Sequence, residues 1–212
     1  MPHSNLNLVA QSSESTVVST FTPSARRAEH YQSEDALEKE FIRQLQSQAY
    51  EYLTIRSEEE LIFNLRKQLE KLNDFTFTDA EWERFFKSEI ANPNQSIAEK
   101  TATIQESSKK SFILDNGDTR NIDFIKKDNI HDNSLQVLNQ YTTEDGQREN
   151  RYDVTVLVNG LPLVHIELKR RGVAIQEAFN QINRYQRESF WSASGLFEYV
   201  QLFVISNGTH TK

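Results

Sequence analysis

The chain contains no cysteine, which excludes disulfides, thiolate catalysis and cysteine-ligated zinc. No stretch approaches the roughly 20 consecutive apolar residues of a membrane helix. The N-terminus also lacks the basic-then-apolar order of a secretory signal. A reducing cytoplasm without membrane contact is therefore the expected location. Positive charge is in deficit: 24 Lys and Arg against 31 Asp and Glu leave a net charge of -7. Coating of nucleic acid by bulk electrostatics is excluded, because phosphate neutralisation needs clustered cations, so any contact with DNA must be local. No Gly-x-x-x-x-Gly-Lys-Ser/Thr occurs, so the phosphate cradle of an ATP-driven motor is missing. There is no internal repeat.

What is present is ordinary for a globular protein, with 37% hydrophobic and 26% charged residues in 212. That length suits one sizeable core, or one core with a helical annex. Residues 1–30 are rich in Ser, Thr, Asn and Gln, with a few apolar residues (Val17, Val18, Phe21), and read as a loosely held polar tail. Residues 31–108 read as helical. Leu37, Phe41, Leu45 and Tyr52 recur near the helical period behind Ser33, a candidate N-cap. Ser57 with Glu60, Thr78 with Glu81, and Ser96 with Glu99 have capping-box spacing at the start of three further helices. Leu61, Leu65, Leu69 and Leu72 form the stripe of the first of these, and Trp82, Phe85 and Phe86 mark the second. Such stripes are packing surfaces.

From about residue 109 the pattern changes to strands. "KSFILDNGDTRNIDFIK" reads as two strands around Asn116-Gly117, and "SLQVLNQYT" as another. "RYDVTVLVNGLPLVHIELKRRG", residues 151–172, is a hairpin. It is followed by "VAIQEAFNQINRYQRESF" at helical period and by "YVQLFVIS", a short apolar run. The expected fold is α/β: a mixed β-sheet flanked by helices, with an N-terminal helical annex. A crossover helix precedes the last strand, which should therefore run parallel to a strand of the hairpin.

Asp153, Glu167 and Lys169 interrupt the apolar runs of the hairpin, where an unpartnered charge is costly to bury. Side chains alternate along a strand, so Val154, Val156 and Val158 share one face and Val164, Ile166 and Leu168 share another. Uniting these faces pairs even numbers with even and sets Asp153 across from Glu167, with Lys169 further along. A simple two-residue Asn159-Gly160 turn would pair even with odd. An odd-length loop or a bulge is therefore expected near Asn159 to Pro162. Two explanations fit the charges: a salt-bridged pair on a half-exposed sheet, or a site for a hard cation such as Mg²⁺ on two carboxylates, with the lysine orienting a water. Spacing leaves both open.

Asp153 followed by Glu167-Leu168-Lys169 on the next strand resembles the PD-(D/E)xK nuclease motif, with Tyr152 in place of its proline. Gln181-Ile182-Asn183-Arg184-Tyr185 fits the QxxxY motif of the RecB-like branch. Together with "SEDALEKEFIRQL" and "VQLFVISNG", most of the chain is similar to the N-terminal nuclease domain of the type I restriction enzyme R subunit (HsdR). The resemblance implies a restriction-endonuclease-like core over 109–212. It also implies Mg²⁺ held by Asp153, Glu167 and the carbonyl of Leu168, a water positioned by Lys169, and cleavage of double-stranded DNA away from the recognition site. Gln181 and Tyr185 would support the site or touch DNA, and Lys169, Arg170, Arg171, Arg184 and Arg187 would meet phosphates. His165 would be a neighbour of the site or a ligand in a His-x-Glu arrangement. A first-helix glutamate would approach the metal: Glu38, with Glu34 and Glu40 competing. ATP would bind only in a motor downstream in the same polypeptide, of which this chain would be a fragment. The partners would be methyltransferase and specificity subunits. The alternatives are a free-standing RecB-like exonuclease and a non-catalytic docking domain for the methyltransferase.

Overall fold

The computed structural model describes the backbone of residues 10–11, 16–17, 33–144, 149–188 and 195–212, and side chains within 33–142, 152–183 and 195–212. Of the expected N-terminal tail, Ala10–Gln11 (β1) and Thr16–Val17 (β2) form a short antiparallel ladder. The rest of that tail lies outside the described residues.

Local capping sets the helix starts. In α1, Glu34–Ser47, the Ser33 hydroxyl accepts the Ala36 N–H at 3.1 Å, satisfying a donor with no intrahelical partner. The helix does not reach Tyr52, contrary to the aromatic spacing. Ala49 adopts a φ of 69°, and Tyr52 lies in a three-residue strand, β3, Glu51–Leu53. Helix α2 spans Glu58–Asn73 behind Ser57. Its capping box is not closed, because Glu60 accepts the N–H of Arg56 at 2.7 Å instead of that of Ser57. The boxes at Thr78/Glu81 and Ser96/Glu99 are closed, and they open α3, Asp79–Phe85, and α4, Ile97–Gln105. Helix α3 runs on as a π-turn, Phe86–Ile90.

Among the described residues, strands β4, Lys109–Ile113, and β5, Thr119–Asp123, pair only with each other, so they do not extend the main sheet as a continuous meander would. The main sheet contains β3, β6 (Leu135–Glu144), β7 (Glu149–Val158), β8 (Leu161–Leu168) and β9 (Leu202–Ser206), in the order β3-β6-β7-β8-β9. Helix α5, Ile175–Glu188, links β8 to a parallel β9, as the crossover rule predicts. β3 is parallel to β6, and the inner pairs are antiparallel. The result is the expected α/β, mixed-sheet fold of the restriction-endonuclease-like kind.

Two clusters clamp the sheet. On one face Leu37, Phe41 and Ile42 of α1 cover Val137, Val154, Val156, Ile166 and Leu168. On the other, Leu61, Leu65 and Leu69 of α2 join Phe85, Phe112, Phe124, Leu157 and Leu161, so the helical region packs onto the strands. Buried Lys100 ties α4 to the turn Leu196–Tyr199 by an ion pair with Glu198. Among the described residues no helix is long and apolar enough to cross a membrane.

Candidate active site on the β7–β8 hairpin

Asn159 and Gly160 have φ of 51° and 83°, the two left-handed residues of a type I′ turn. Val158 then pairs with Leu161 and Leu157 with Pro162, but Val156 pairs with Val164 and Thr155 with His165. Leu163 is thus an extra residue, a bulge beside Pro162. It converts the even–odd pairing of the turn into the even–even pairing required by the two aliphatic faces, so the expected irregularity exists and the two-residue turn survives with it. One step beyond Val154↔Ile166, Asp153 comes opposite Glu167.

On the other side of β7, Gln140 lies across from Asp153, between the pairs Asn139↔Val154 and Tyr141↔Tyr152, with a φ of 55°. A left-handed residue inside a strand breaks the alternation of faces. In β6, Val137 packs under α1 while Tyr141 joins the opposite cluster, and across the ladder Val154 packs under α1 while Tyr152, fully buried, joins the opposite cluster. Asp153 sits where β7 changes faces.

The three motif residues converge. Asp153 Oδ2 accepts the Leu168 N–H at 2.8 Å, and Lys169 Nζ donates to Glu167 Oε1 at 2.7 Å. The charge of Glu167 acts on Asp153 across the hairpin. Burial and then the charge of Glu167 push Asp153 up to about 6. Burial also raises Glu167, against the pull of Lys169. Burial alone would lower Lys169, but its bond to Glu167 and the charges of Glu167, Asp153 and Glu34 carry it above the usual ammonium value. Lys169 is therefore protonated at neutral pH. The half-exposed salt-bridge reading does not describe this place, because the side chain of Glu167 is 0% exposed.

These residues fit a hard cation. Glu167 Oε2 is buried and accepts no hydrogen bond among the described residues, and the repulsion by which Glu167 raises Asp153 would be relieved by an ion between the two carboxylates. No set of three His, Cys, Asp or Glu surrounds a common point among the described residues. The protein ligands would be Asp153 and Glu167, with the carbonyl of Leu168 available on the same strand.

His165 is fully buried, and burial pushes it down to about 4. Neutral at pH 7, it packs edge-on to Tyr152 with Nε2 3.7 Å from Glu167 Oε2, a neighbour behind the site. Of the first-helix glutamates, Glu38 is buried, receives the side-chain amides of Asn139 and Gln140, and senses Asp153; burial is the main cause of its raised pKa. Glu34 is exposed and accepts the N–H of Arg170 at 3.2 Å. Glu40 is occupied by Arg43 and Gln44. Arg170 is exposed and Arg171 partly buried. Gln181 is partly buried on α5 beside buried Ile182. The side chains of Arg184, Tyr185 and Arg187 lie outside the described residues. The sequence reading passed over Asn139 and Gln140; two adjacent amides directly after the apolar pair Val137-Leu138 were the signal.

The electrostatics yield a stability prediction. Asp153 has an ordinary value of 3.8 and a folded value of about 6. Between these the folded state holds more protons, so stability falls as pH rises through that window and stays reduced above it. Asp153→Asn, which keeps an acceptor for Leu168 and adds a donor for Glu167, should raise metal-free stability at pH 7.5 by about 2 kcal/mol. It should have little effect near pH 4. Calorimetric unfolding in chelator at both pH values checks this, and an Asn variant no more stable at pH 7.5 would contradict it.

The family model described as "Type I restriction enzyme R protein N terminus" matches residues 31–212. An Escherichia coli type I restriction enzyme endonuclease subunit is 46% identical over 205 residues, covering 96% of this chain and 65% of the relative. One from Staphylococcus saprophyticus is 42% identical over 187 residues, covering 86% of this chain and 19% of the relative. A putative subunit from Methanocaldococcus jannaschii is 30% identical over 110 residues, 49% of this chain and 10% of the relative. This chain thus spans about two thirds of the first relative and a fifth of the second. With its mixed sheet and its converging Asp153, Glu167 and Lys169, the chain belongs to the family of type I restriction enzyme R protein N-terminal domains.

Proposed function

We propose that this chain is the Mg²⁺-dependent nuclease unit of a type I restriction enzyme R subunit, hydrolysing phosphodiester bonds of double-stranded DNA. The observation that carries the reading is the meeting of Asp153 and Glu167 across the hairpin, with protonated Lys169 bonded to Glu167. Asp153, Glu167 and the Leu168 carbonyl would hold the ion. When bound, it would polarise a phosphoryl oxygen and acidify a water. The Leu168 N–H fixes the rotamer of Asp153, so the carboxylate is set in place before any ligand arrives. Lys169, charged and tethered, offers an N–H to the attacking water and a positive charge to the phosphate as negative charge grows there. The water oxygen would bond to phosphorus as the bond to one ester oxygen breaks, the water's proton passing to solvent and the departing oxygen taking one up, to leave a phosphomonoester and an alcohol.

The relatives carry the printed name endonuclease subunit, and this chain covers only part of each. Cleavage away from the recognition site, ATP-driven translocation and assembly with methyltransferase and specificity subunits would belong to the whole R protein. With a net charge of -7 the chain holds few phosphates by itself, so partners would raise the local concentration of duplex at the site. The test compares the 212-residue chain with a full R subunit in complex, on plasmid DNA with Mg²⁺ at matched low salt. The chain should cut about 10²-fold more slowly. Equal rates would favour a free-standing nuclease. Failure of the chain to bind Mn²⁺ at saturating concentration would favour a docking role.

A further inference from the structure

We infer that Asn139 and Gln140 are positioning residues for the metal site, acting through the buried carboxylate of Glu38, with Tyr52 fixing Asn139. The inference rests on the nuclease reading and adds to it a set of residues outside the D…ExK motif. Successive side chains of a strand point to opposite faces, so two neighbours cannot ordinarily reach one carboxylate. Here they do: the amide of Asn139 donates to Glu38 Oε1 and that of Gln140 to Glu38 Oε2. What permits it is the left-handed backbone of Gln140, φ 55°, a conformation that disfavours any residue with a side chain. Gln140 also lies across the ladder from Asp153, so one backbone irregularity sets both the metal-site aspartate and the second amide. On the other side, the Tyr52 hydroxyl donates to Asn139 Oδ1 at 2.7 Å. That bond fixes which end of the Asn139 amide faces Glu38.

Glu38 is 6% exposed, and it feels the charge of Asp153. Yet Glu38, Asp153 and Glu167 do not enclose one point, since no three such groups do so among the described residues. Glu38 therefore works from outside the ligand set. Its two oxygens are each held by one amide and each keeps a lone pair, able to accept a hydrogen bond from a cation-bound water. Its negative charge also favours a cation beside Asp153. Asn139 and Gln140 make this contribution reproducible by locking the carboxylate in one orientation. The network draws on three elements: α1 supplies Glu38, β6 the two amides, and the edge strand β3 the tyrosine.

The experiment measures Mn²⁺ binding to the 212-residue chain by calorimetry, with thermal unfolding on each variant as a control for folding. Glu38→Ala should weaken binding about 10-fold. Asn139→Ala and Gln140→Gly should each weaken it several-fold; the glycine keeps the left-handed backbone at no strain and removes only the amide. The double variant Glu38→Ala with Gln140→Gly should bind as Glu38→Ala alone does, because both changes remove one interaction. Tyr52→Phe, which deletes a single hydroxyl, provides a mild case that retains the fold and should give a smaller loss of the same sign. In the assembled enzyme the same variants should lower kcat with little change in KM for DNA. Parent-like Mn²⁺ affinity in Asn139→Ala and Gln140→Gly, or additive losses in the double variant, would overturn the inference while leaving the nuclease reading intact. Undiminished Mn²⁺ binding in Asp153→Ala would overturn both.

Discussion

Lys169→Ala in a complete R subunit is expected to lower DNA cleavage by about 10³-fold, and Asp153→Ala and Glu167→Ala to abolish it, with ATP-driven translocation unchanged. Lys169 supplies a positive charge held in place by its 2.7 Å bond to Glu167 Oε1, and it is mostly shielded from water, with 14% side-chain exposure. A fixed charge in such a site needs no reorganisation as the transition state forms. Lys169→Arg is not a safe substitute, because the planar guanidinium would favour two-point contact with Glu167 over presenting a donor to water. Asp153→Ala leaves the Leu168 N–H without its acceptor, and Glu167→Ala leaves the partly buried Lys169 without its counter-charge. Both also remove a proposed metal ligand. Translocation should persist if, as proposed, the ATP-driven motor of a complete R subunit is a site separate from Asp153, Glu167 and Lys169; the sequence of this chain contains no phosphate cradle. Cleavage of circular plasmid and triplex displacement on the same preparations separate the two activities. Loss of translocation in well-folded variants would show that the sites are not independent.

Gly160→Ala is expected to destabilise the chain by about 4 kcal/mol, whereas Gly117→Ala should cost about 1 kcal/mol. Both glycines have positive φ, +83° and +89°, and both follow an asparagine in a hairpin turn. A Cβ at Gly117 meets nothing within 4 Å, so that substitution incurs only the backbone cost. A Cβ at Gly160 would lie 2.6 Å from the Cα of Leu65 and 3.1 Å from its nitrogen, atoms of the α2 backbone that cannot rotate aside. Relief requires shifting α2, whose Leu61, Leu65 and Leu69 are at most 1% exposed in the larger core. The turn is itself buried. Asn159 is 1% exposed, donates to Phe124 O at 2.9 Å and accepts from the Ser134 N–H at 2.8 Å. Thermal unfolding of the two variants in parallel makes the comparison, with a fall in Tm of about 10 °C expected for Gly160→Ala. Equal shifts would mean that α2 does not press on the hairpin.

The sequence by itself determined what depends on neighbours within a few residues, or on parity. Ser33, Thr78 and Ser96 begin helices because a cap satisfies an amide three residues away, whatever the rest of the chain does. Asp153 had to face Glu167, because burying the valine and leucine faces together leaves one register, and the bulge at Leu163 follows from the same parity. The crossover helix dictated a parallel β9. Tertiary structure decided the rest. Strand β3 is three residues long and owes its existence to β6, so no periodicity could announce it, and Tyr52 was drawn into the helical stripe instead. Strands β4 and β5 left the main sheet because Phe112 and Ile122 pack with α2 and α3, a preference invisible in their alternation. Of the first-helix glutamates Glu38 was expected, with Glu34 and Glu40 competing. Glu38 was distinguished by being buried against the amides of Asn139 and Gln140, and those two amides met because Gln140 took a left-handed backbone that only its surroundings could stabilise.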